Sequence, residues 1–164
     1  MTNIYYSRLF IKENFIDLYA SDKGLCFVGS LNVENEIYDY ADNITVLEDN
    51  EYMKDYKNQI KYYLENRISE FTFSIDQFIK SSNFNMKVWD ALLEIPYGKT
   101  ASYSDVANSI NQPKAVRAVA SSIAKNPLLI VVPCHRVVGK NGKLTGYRGG
   151  LAMKKSLLET EAEN

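Results

Sequence analysis

Prolines at 96, 113 and 127 cut the stretch after Asn83 into helical pieces of set length, and this punctuation constrains the C-terminal half more than any other feature. Asn83 can cap a helix that carries Val88, Trp89, Leu92, Leu93 and Ile95 up to Pro96. After the Pro96-Tyr97-Gly98 turn, Ser102 can cap a short helix through Tyr103, Val106, Ala107 and Ile110. Pro113 suits the first turn of another, running through Val116, Val119 and Ile123 to a stop at Asn126-Pro127. Two short helices joined by a tight turn make the helix-turn-helix pattern. Apart from Lys114 and Arg117, the second of them is largely Ala115, Ala118, Ala120, Ser121, Ser122 and Ala124. Side chains this small let the backbone come close to a partner, either another element of the protein or a nucleic-acid groove.

The other half reads differently. Runs at Ile4-Tyr5-Tyr6, Phe15 to Ala20 and Leu25 to Gly29 alternate aromatic or β-branched residues with polar ones, and Ser21-Asp22-Lys23-Gly24 suits a hairpin turn. A short antiparallel sheet is expected. Tyr52, Tyr56, Ile60, Tyr63 and Leu64 then recur at helical spacing between Glu51 and Asn66, which predicts an amphipathic helix over that sheet. Ser81-Ser82-Asn83 marks the join, so two domains are expected, 1–80 and 81–164, in an α+β protein.

The formal net charge of −1 hides a division. Residues 1–80 hold 8 Lys+Arg against 14 Asp+Glu, and residues 81–164 hold 11 against 6. Between 99 and 155 the basic residues Lys99, Lys114, Arg117, Lys125, Arg136, Lys140, Lys143, Arg148, Lys154 and Lys155 face only Asp105. Such segregation suits a polyanion, whose phosphates supply sequence-independent affinity, though a solvated lysine-rich surface has the same count. No basic N-terminal stretch precedes an apolar segment, and no apolar run approaches bilayer-spanning length, so a cytoplasmic protein without membrane insertion is expected. Cys26 and Cys134 are too few for a disulfide framework and are expected to be reduced.

Leu128 to Val132 is an apolar run of buried-strand character that leads into Pro133-Cys134-His135-Arg136. A cysteine in such a place is usually a small hydrophobe. Here His135, the chain's one histidine, can take the thiol proton directly or through water, and Arg136 with the surrounding positive charge is expected to favour the thiolate. A Cys-His pair does not by itself choose a reaction, because thiol proteases, acyltransferases and alkyl acceptors all use one.

Pro133-Cys134-His135-Arg136-Val137-Val138 resembles the acceptor motif of the O6-alkylguanine-DNA alkyltransferases, the methylated-DNA-protein-cysteine methyltransferase family. The likeness runs from about Phe84 to Glu161, through Gly98-Lys99-Thr100-Ala101-Ser102-Tyr103, Ala115-Val116-Arg117-Ala118-Val119, Lys125-Asn126-Pro127 and Gly146-Tyr147-Arg148-Gly149-Gly150-Leu151. Four motifs in matching order make it specific, while the first eighty residues resemble the family's variable N-terminal domain only loosely. The resemblance implies a ribonuclease-H-like N-terminal domain and a winged-helix-like C-terminal one. It implies Cys134 as alkyl acceptor, His135 as its base through a water, and Glu161 as the carboxylate that orients His135, with Glu159 as competitor. It implies that Asn126 holds the turn carrying the cysteine and that Tyr103 hydrogen-bonds the flipped guanine and helps it leave. Arg117 is implied as a finger entering the base stack, with Lys114, Ala115, Ala118 and Ser102 also meeting DNA from the minor groove. Val137, Tyr147, Arg148 and Tyr103 are implied as the guanine pocket.

The implied partner is duplex DNA containing O6-alkylguanine, met by a monomer. The product would be a thioether, so each molecule would act once. No cofactor is needed. Some members bind structural zinc through N-terminal cysteine and histidine, but this half has only Cys26 and no histidine, so no metal is expected. Related alkyltransferase-like proteins lack the acceptor cysteine and only flag lesions. A winged-helix regulator would leave the Cys-His pair without purpose, and a thiol hydrolase would turn over repeatedly.

Overall fold

Strand β1 (Thr2–Ile11) turns through Lys12, whose φ of 55° reverses the chain, into β2 (Asn14–Ser21), and the two pair antiparallel with Tyr5 opposite Ala20 and Phe10 opposite Phe15. The computed structural model describes residues 1–162, which separate into two compact units, 1–79 and 80–162. In the first unit, β3 (Gly24–Val28) follows the Ser21–Gly24 turn and pairs antiparallel with β2. Gly24 is required there: at φ +153° its Cβ would sit 2.5 Å from Ser74 O, where residues 74–76 close along Leu25. A further strand, β4 (Ile44–Glu48), lies parallel to β1 and completes the order β3-β2-β1-β4. Sequence reasoning missed β4, because its pairing is with the chain's first residues and nothing local announces it. Helix α1 (Lys54–Leu64) starts three residues later than its pattern predicts, after a turn in which Asp49 accepts from the Tyr52 N–H at 2.9 Å. Ile4, Tyr19, Phe27 and Ile37 form the core of this unit, each worth about 1.5–3 kcal/mol of burial.

The second unit opens with α2 (Asn83–Leu92). Its cap is Ser82, which accepts from the Asn85 N–H at 3.1 Å, one residue before the expected Asn83. Gly98, at φ +79°, carries the turn after Pro96. Strand β5 (Ala101–Ser102) runs into α3 (Tyr103–Ser109), whose first turn is closed by a capping box: Ser102 Oγ accepts from Asp105 N at 3.0 Å and Asp105 Oδ2 from Ser102 N at 2.9 Å. Helix α4 (Val116–Ala124) follows, with Pro113 and Lys114 in the turn before it rather than in its first helical turn. Strand β6 (Val137–Val138) pairs parallel with β5, and α5 (Leu151–Ala162) ends the described chain. Trp89 locks α2 to α4 by donating from its indole to Ser122 O at 2.8 Å.

Leu128 to Val132 is not a strand. Val132 N donates to Leu128 O at 2.9 Å and Val131 N to Leu129 O at 2.8 Å, which places Ile130 at the centre of a three-residue turn with φ +73°. Pro133, at φ −81° and ψ 60°, makes a second such turn, with Cys134 N donating to Val132 O at 2.7 Å. An apolar run without alternation signals burial, and these residues are nearly all buried, but the backbone path is set by the groups around it. Among the described residues no helix is long and apolar enough to cross a membrane.

Candidate active site

The two tight turns deliver Cys134 and His135 into a 3-10 turn (Cys134–Arg136) at the front of β6, with Cys134 3% exposed and His135 0% exposed. Asn126 holds those turns from the end of α4. Its Nδ2 donates to Val132 O at 2.9 Å and Leu128 O at 3.3 Å, and its Oδ1 accepts from Leu128 N at 3.0 Å. Burial pushes the Cys134 thiol up from its ordinary value, against the downward pull of a hydrogen bond from Asn126 and of the charges on Arg148 and Lys154. The resting sulfur is therefore a neutral thiol, contrary to the thiolate expected from the sequence. Arg136, the cation closest in sequence, is engaged elsewhere.

His135 Nε2 lies 2.6 Å from Glu161 Oε2, both groups fully buried. A carboxylate can only accept, so Nε2 carries the proton and the lone pair sits on Nδ1. That Nδ1 is buried and has no hydrogen-bond partner among the described residues. Burial lowers the His135 pKa, Glu161 raises it, and Arg136 and Lys154 lower it further, so the imidazole rests neutral. Glu161, not Glu159, makes this pair; Glu159 is exposed and 3.9 Å from Lys155. Arg136 donates from Nε to Glu161 Oε1 at 2.8 Å and from Nη2 to Oε2 at 3.2 Å, and from Nη1 to Ile95 O at 2.6 Å. A neutral thiol next in the chain to a neutral, oriented base can separate charge when a substrate arrives, without holding an ion pair at rest.

A cavity of about 620 Å³ opens in this unit, lined by Tyr103, Ala120, Ile123, Ala124, Thr145, Gly146, Tyr147 and Arg148. Three of the four expected pocket residues line it, whereas Val137 is buried and, like Cys134, is not part of the lining. The link from lining to sulfur is Arg148, which donates to Asn126 O from Nη2 at 2.9 Å and from Nε at 3.3 Å and acts electrostatically on the thiol. Gly149 gives the Tyr147 ring its place, since a Cβ there would lie 2.7 Å from the ring. Tyr103 Oη meets Thr145 Oγ1 at 2.8 Å.

On α4 the outward face carries Arg117, Ala118, Ser121 and Ala124, with Lys114 and Lys125 exposed at its ends. Of the two readings of its small side chains, interior packing accounts for Ser122, while Ala118, Ser121 and Ala124 face solvent. Ala115 is half-buried, and Ser102 has its hydroxyl committed to the cap of α3. The electropositive count shrinks: Arg136 and Lys154 are interior and Arg148 half-buried. Lys154 is a site residue that sequence reasoning missed. It is 1% exposed, donates to Val137 O at 2.6 Å and Thr145 O at 2.8 Å, and burial lowers its pKa, with Cys134 raising it. The signal was available: Lys154, Leu157 and Glu161 share one face of α5, and that face is buried.

Comparison with known proteins gives concordant results. Residues 83–163 match the family model described as "6-O-methylguanine DNA methyltransferase, DNA binding domain", and residues 15–77 match "6-O-methylguanine DNA methyltransferase, ribonuclease-like domain". Over 163 residues, 96% of this chain and 90% of the relative, the sequence is 46% identical to the inducible methylated-DNA–protein-cysteine methyltransferase of Bacillus subtilis (strain 168). Over 161 residues, 98% of this chain and 99% of the relative, it is 36% identical to the methylated-DNA–protein-cysteine methyltransferase of Methanosarcina barkeri (strain Fusaro / DSM 804). The crystal structure of Mycobacterium tuberculosis OGT in complex with DNA superposes with a TM-score of 0.81 at 34% identity, covering 97% of this chain and 93% of that one.

Proposed function

Because this chain belongs to the 6-O-methylguanine DNA methyltransferase family, we infer that its site takes the alkyl group from O6-alkylguanine in DNA onto Cys134. The protein is a methylated-DNA–protein-cysteine methyltransferase and repairs DNA by direct reversal. The observation that carries the assignment of roles is the 2.6 Å pair of His135 and Glu161, fully buried and next in the chain to the buried thiol.

His135 Nδ1 takes the thiol proton, directly or through a water, and Glu161 stabilises the imidazolium as it forms. The sulfur attacks the alkyl carbon, the carbon–O6 bond breaks, and its electron pair leaves with the guanine. The thioether formed does not exchange with other thiols, so one molecule performs one transfer.

A base stacked in a duplex cannot reach the sulfur of a cysteine that is 3% exposed, so the nucleotide rotates out at a cost of a few kcal/mol. Arg117 fills the space left in the stack, Lys114 and Lys125 meet phosphates, and the small outward residues Ala118, Ser121 and Ala124 let α4 enter the minor groove. Tyr103, Tyr147 and Arg148 receive the base, with Val137 behind them, and the protein acts as a monomer. The lesion-flagging relatives that lack an acceptor cysteine are a poor fit to a chain that has one oriented in this way.

The test is intact-mass spectrometry after mixing the protein with a duplex containing O6-methylguanine, followed by peptide mapping. One added methyl per chain, on the peptide containing Cys134 and absent in Cys134→Ala, is expected. Repeated release of product without added mass on the protein would sink the reading.

A further inference from the structure

We propose that Thr145 is a positioning residue for the transfer: its hydroxyl holds and polarises the Tyr103 phenol that attends the departing guanine. The proposal rests on the function inferred above. The two oxygens are 2.8 Å apart, and both residues line the cavity of about 620 Å³. Thr145 is held from two sides. On one side the buried Lys154 ammonium donates to its main-chain oxygen at 2.8 Å, and on the other its hydroxyl meets the Tyr103 hydroxyl. β-branching restricts χ1, and in the rotamer adopted the Thr145 hydroxyl faces the Tyr103 phenol at 2.8 Å.

The chemistry gives that contact a direction. Each hydroxyl has one proton to give and two lone pairs to receive with. In the free protein either oxygen can be the donor. Once a guanine accepts the Tyr103 O–H, only Thr145 can donate within the pair, and its donation to the phenol oxygen strengthens the phenol as a donor. In the transfer step the Cys134 proton goes to His135, a sulfur–carbon bond forms, and the carbon–O6 bond breaks with its electrons kept by the guanine. The guanine anion takes the hydrogen bond from Tyr103, and no electron donor or acceptor is involved. A phenol left without Thr145 would spread its O–H over other directions and offer a weaker hydrogen bond to that anion.

The experiment is single-turnover methyl transfer from an O6-methylguanine duplex by wild type, Thr145→Val, Thr145→Ser, Tyr103→Phe and the double variant Tyr103→Phe/Thr145→Val. Valine keeps the shape and loses the hydroxyl, and should slow transfer about tenfold, the worth of one hydrogen bond. Serine keeps the hydroxyl and should restore the rate. On the Tyr103→Phe background the valine should cost nothing further. A valine variant as fast as wild type, a serine variant as slow as the valine one, or equal slowing with and without the phenol would each overturn the proposal. In protein free of DNA, the Tyr103 ¹³Cζ resonance, identified by its loss in Tyr103→Phe, should move in Thr145→Val and not in Thr145→Ser. An unmoved resonance overturns the contact itself, whereas a wild type that takes up no methyl strikes the underlying function.

Discussion

Arg136 grips Glu161 with two nitrogens, Nε on Oε1 at 2.8 Å and Nη2 on Oε2 at 3.2 Å. That fork supplies the counter-charge for a carboxylate that is 1% exposed, and leaves Oε2 also available to His135 at 2.6 Å. Arg136→Met takes that counter-charge away from the buried carboxylate. Stability should fall by about 3–5 kcal/mol in urea unfolding, the usual consequence of removing one partner of a buried pair. The pH profile of transfer carries a second signature. His135 must be neutral to accept a proton; burial lowers its pKa and Arg136 lowers it further. Removing that cation lets the pKa rise, so the low-pH limb of the rate profile should move to higher pH. A limb that stays put or moves down would remove Arg136 from the control of His135.

Both thiols are buried, and burial pushes both upward, Cys26 from 9.0 to about 12. A small neutral thiol reagent at pH 7.5 should therefore react slowly with the native protein and with two fast equivalents in guanidinium. After incubation with a methylated duplex, one equivalent should remain on unfolding. A fast-reacting thiol in the native state would contradict the buried, neutral sulfur described here. The same shifts set a stability trend. A thiol with a native pKa above its unfolded value contributes stability that is intact below the unfolded value and lost as pH rises through the native one. Stability should thus decline from about pH 9 upward, by about 1 kcal/mol per pH unit for Cys26. Cys26→Ala should flatten that decline.

Arg117 stands exposed on the small-residue face of α4 and is not part of the cavity lining. Arg117→Ala should slow repair of duplex DNA by about tenfold or more while changing reaction with free O6-benzylguanine far less, because the free base needs no extrusion from a stack. Unfolding in urea should be almost unaffected, as expected for an exposed side chain. Equal losses on the two substrates would assign Arg117 to the pocket instead.

What the sequence could disclose depended on whether the information was local. The start of α3 and the stop of α4 were legible because Ser102 and Asn126-Pro127 act on their own neighbours, whereas α2 ends at Leu92, short of Pro96, and α4 begins at Val116, past Pro113. The partner of His135 was legible only through the family likeness, since Glu161 lies on a different element. The course of Leu128 to Val132 was not legible: a left-handed φ at Ile130 is the last conformation a β-branched residue would choose alone, and it persists because Asn126 and the surrounding core hold it. Charge counting failed in a similar way. A tally has no direction, so Arg136 and Lys154 were counted toward a DNA-facing surface when their chains turn inward to Glu161 and to main-chain oxygens. Burial also reversed the expected state of Cys134, because the desolvation of a charged sulfur outweighs the cations near it.

Asn126 joins three parts of the site: its side chain ties Leu128 and Val132, it draws the Cys134 thiol down against burial, and its carbonyl accepts from Arg148 at 2.9 Å. Asn126→Ala removes the side-chain bonds, leaving Leu128 N without its acceptor in the interior and Val132 O with only the Cys134 N–H, which should cost about 1–3 kcal/mol of stability. It also removes the first of the influences that oppose burial at Cys134, so the thiol should be harder to ionise and transfer slower. Asn126→Asp separates the two effects. The aspartate keeps an acceptor for Leu128 N but turns a charged oxygen toward Val132 O and the sulfur, where a negative charge disfavours the thiolate. Transfer rates should therefore fall in the order wild type, alanine, aspartate, and raising the pH should recover the alanine variant before the aspartate one. An aspartate variant faster than alanine would mean that Asn126 acts on the turn and not on the sulfur.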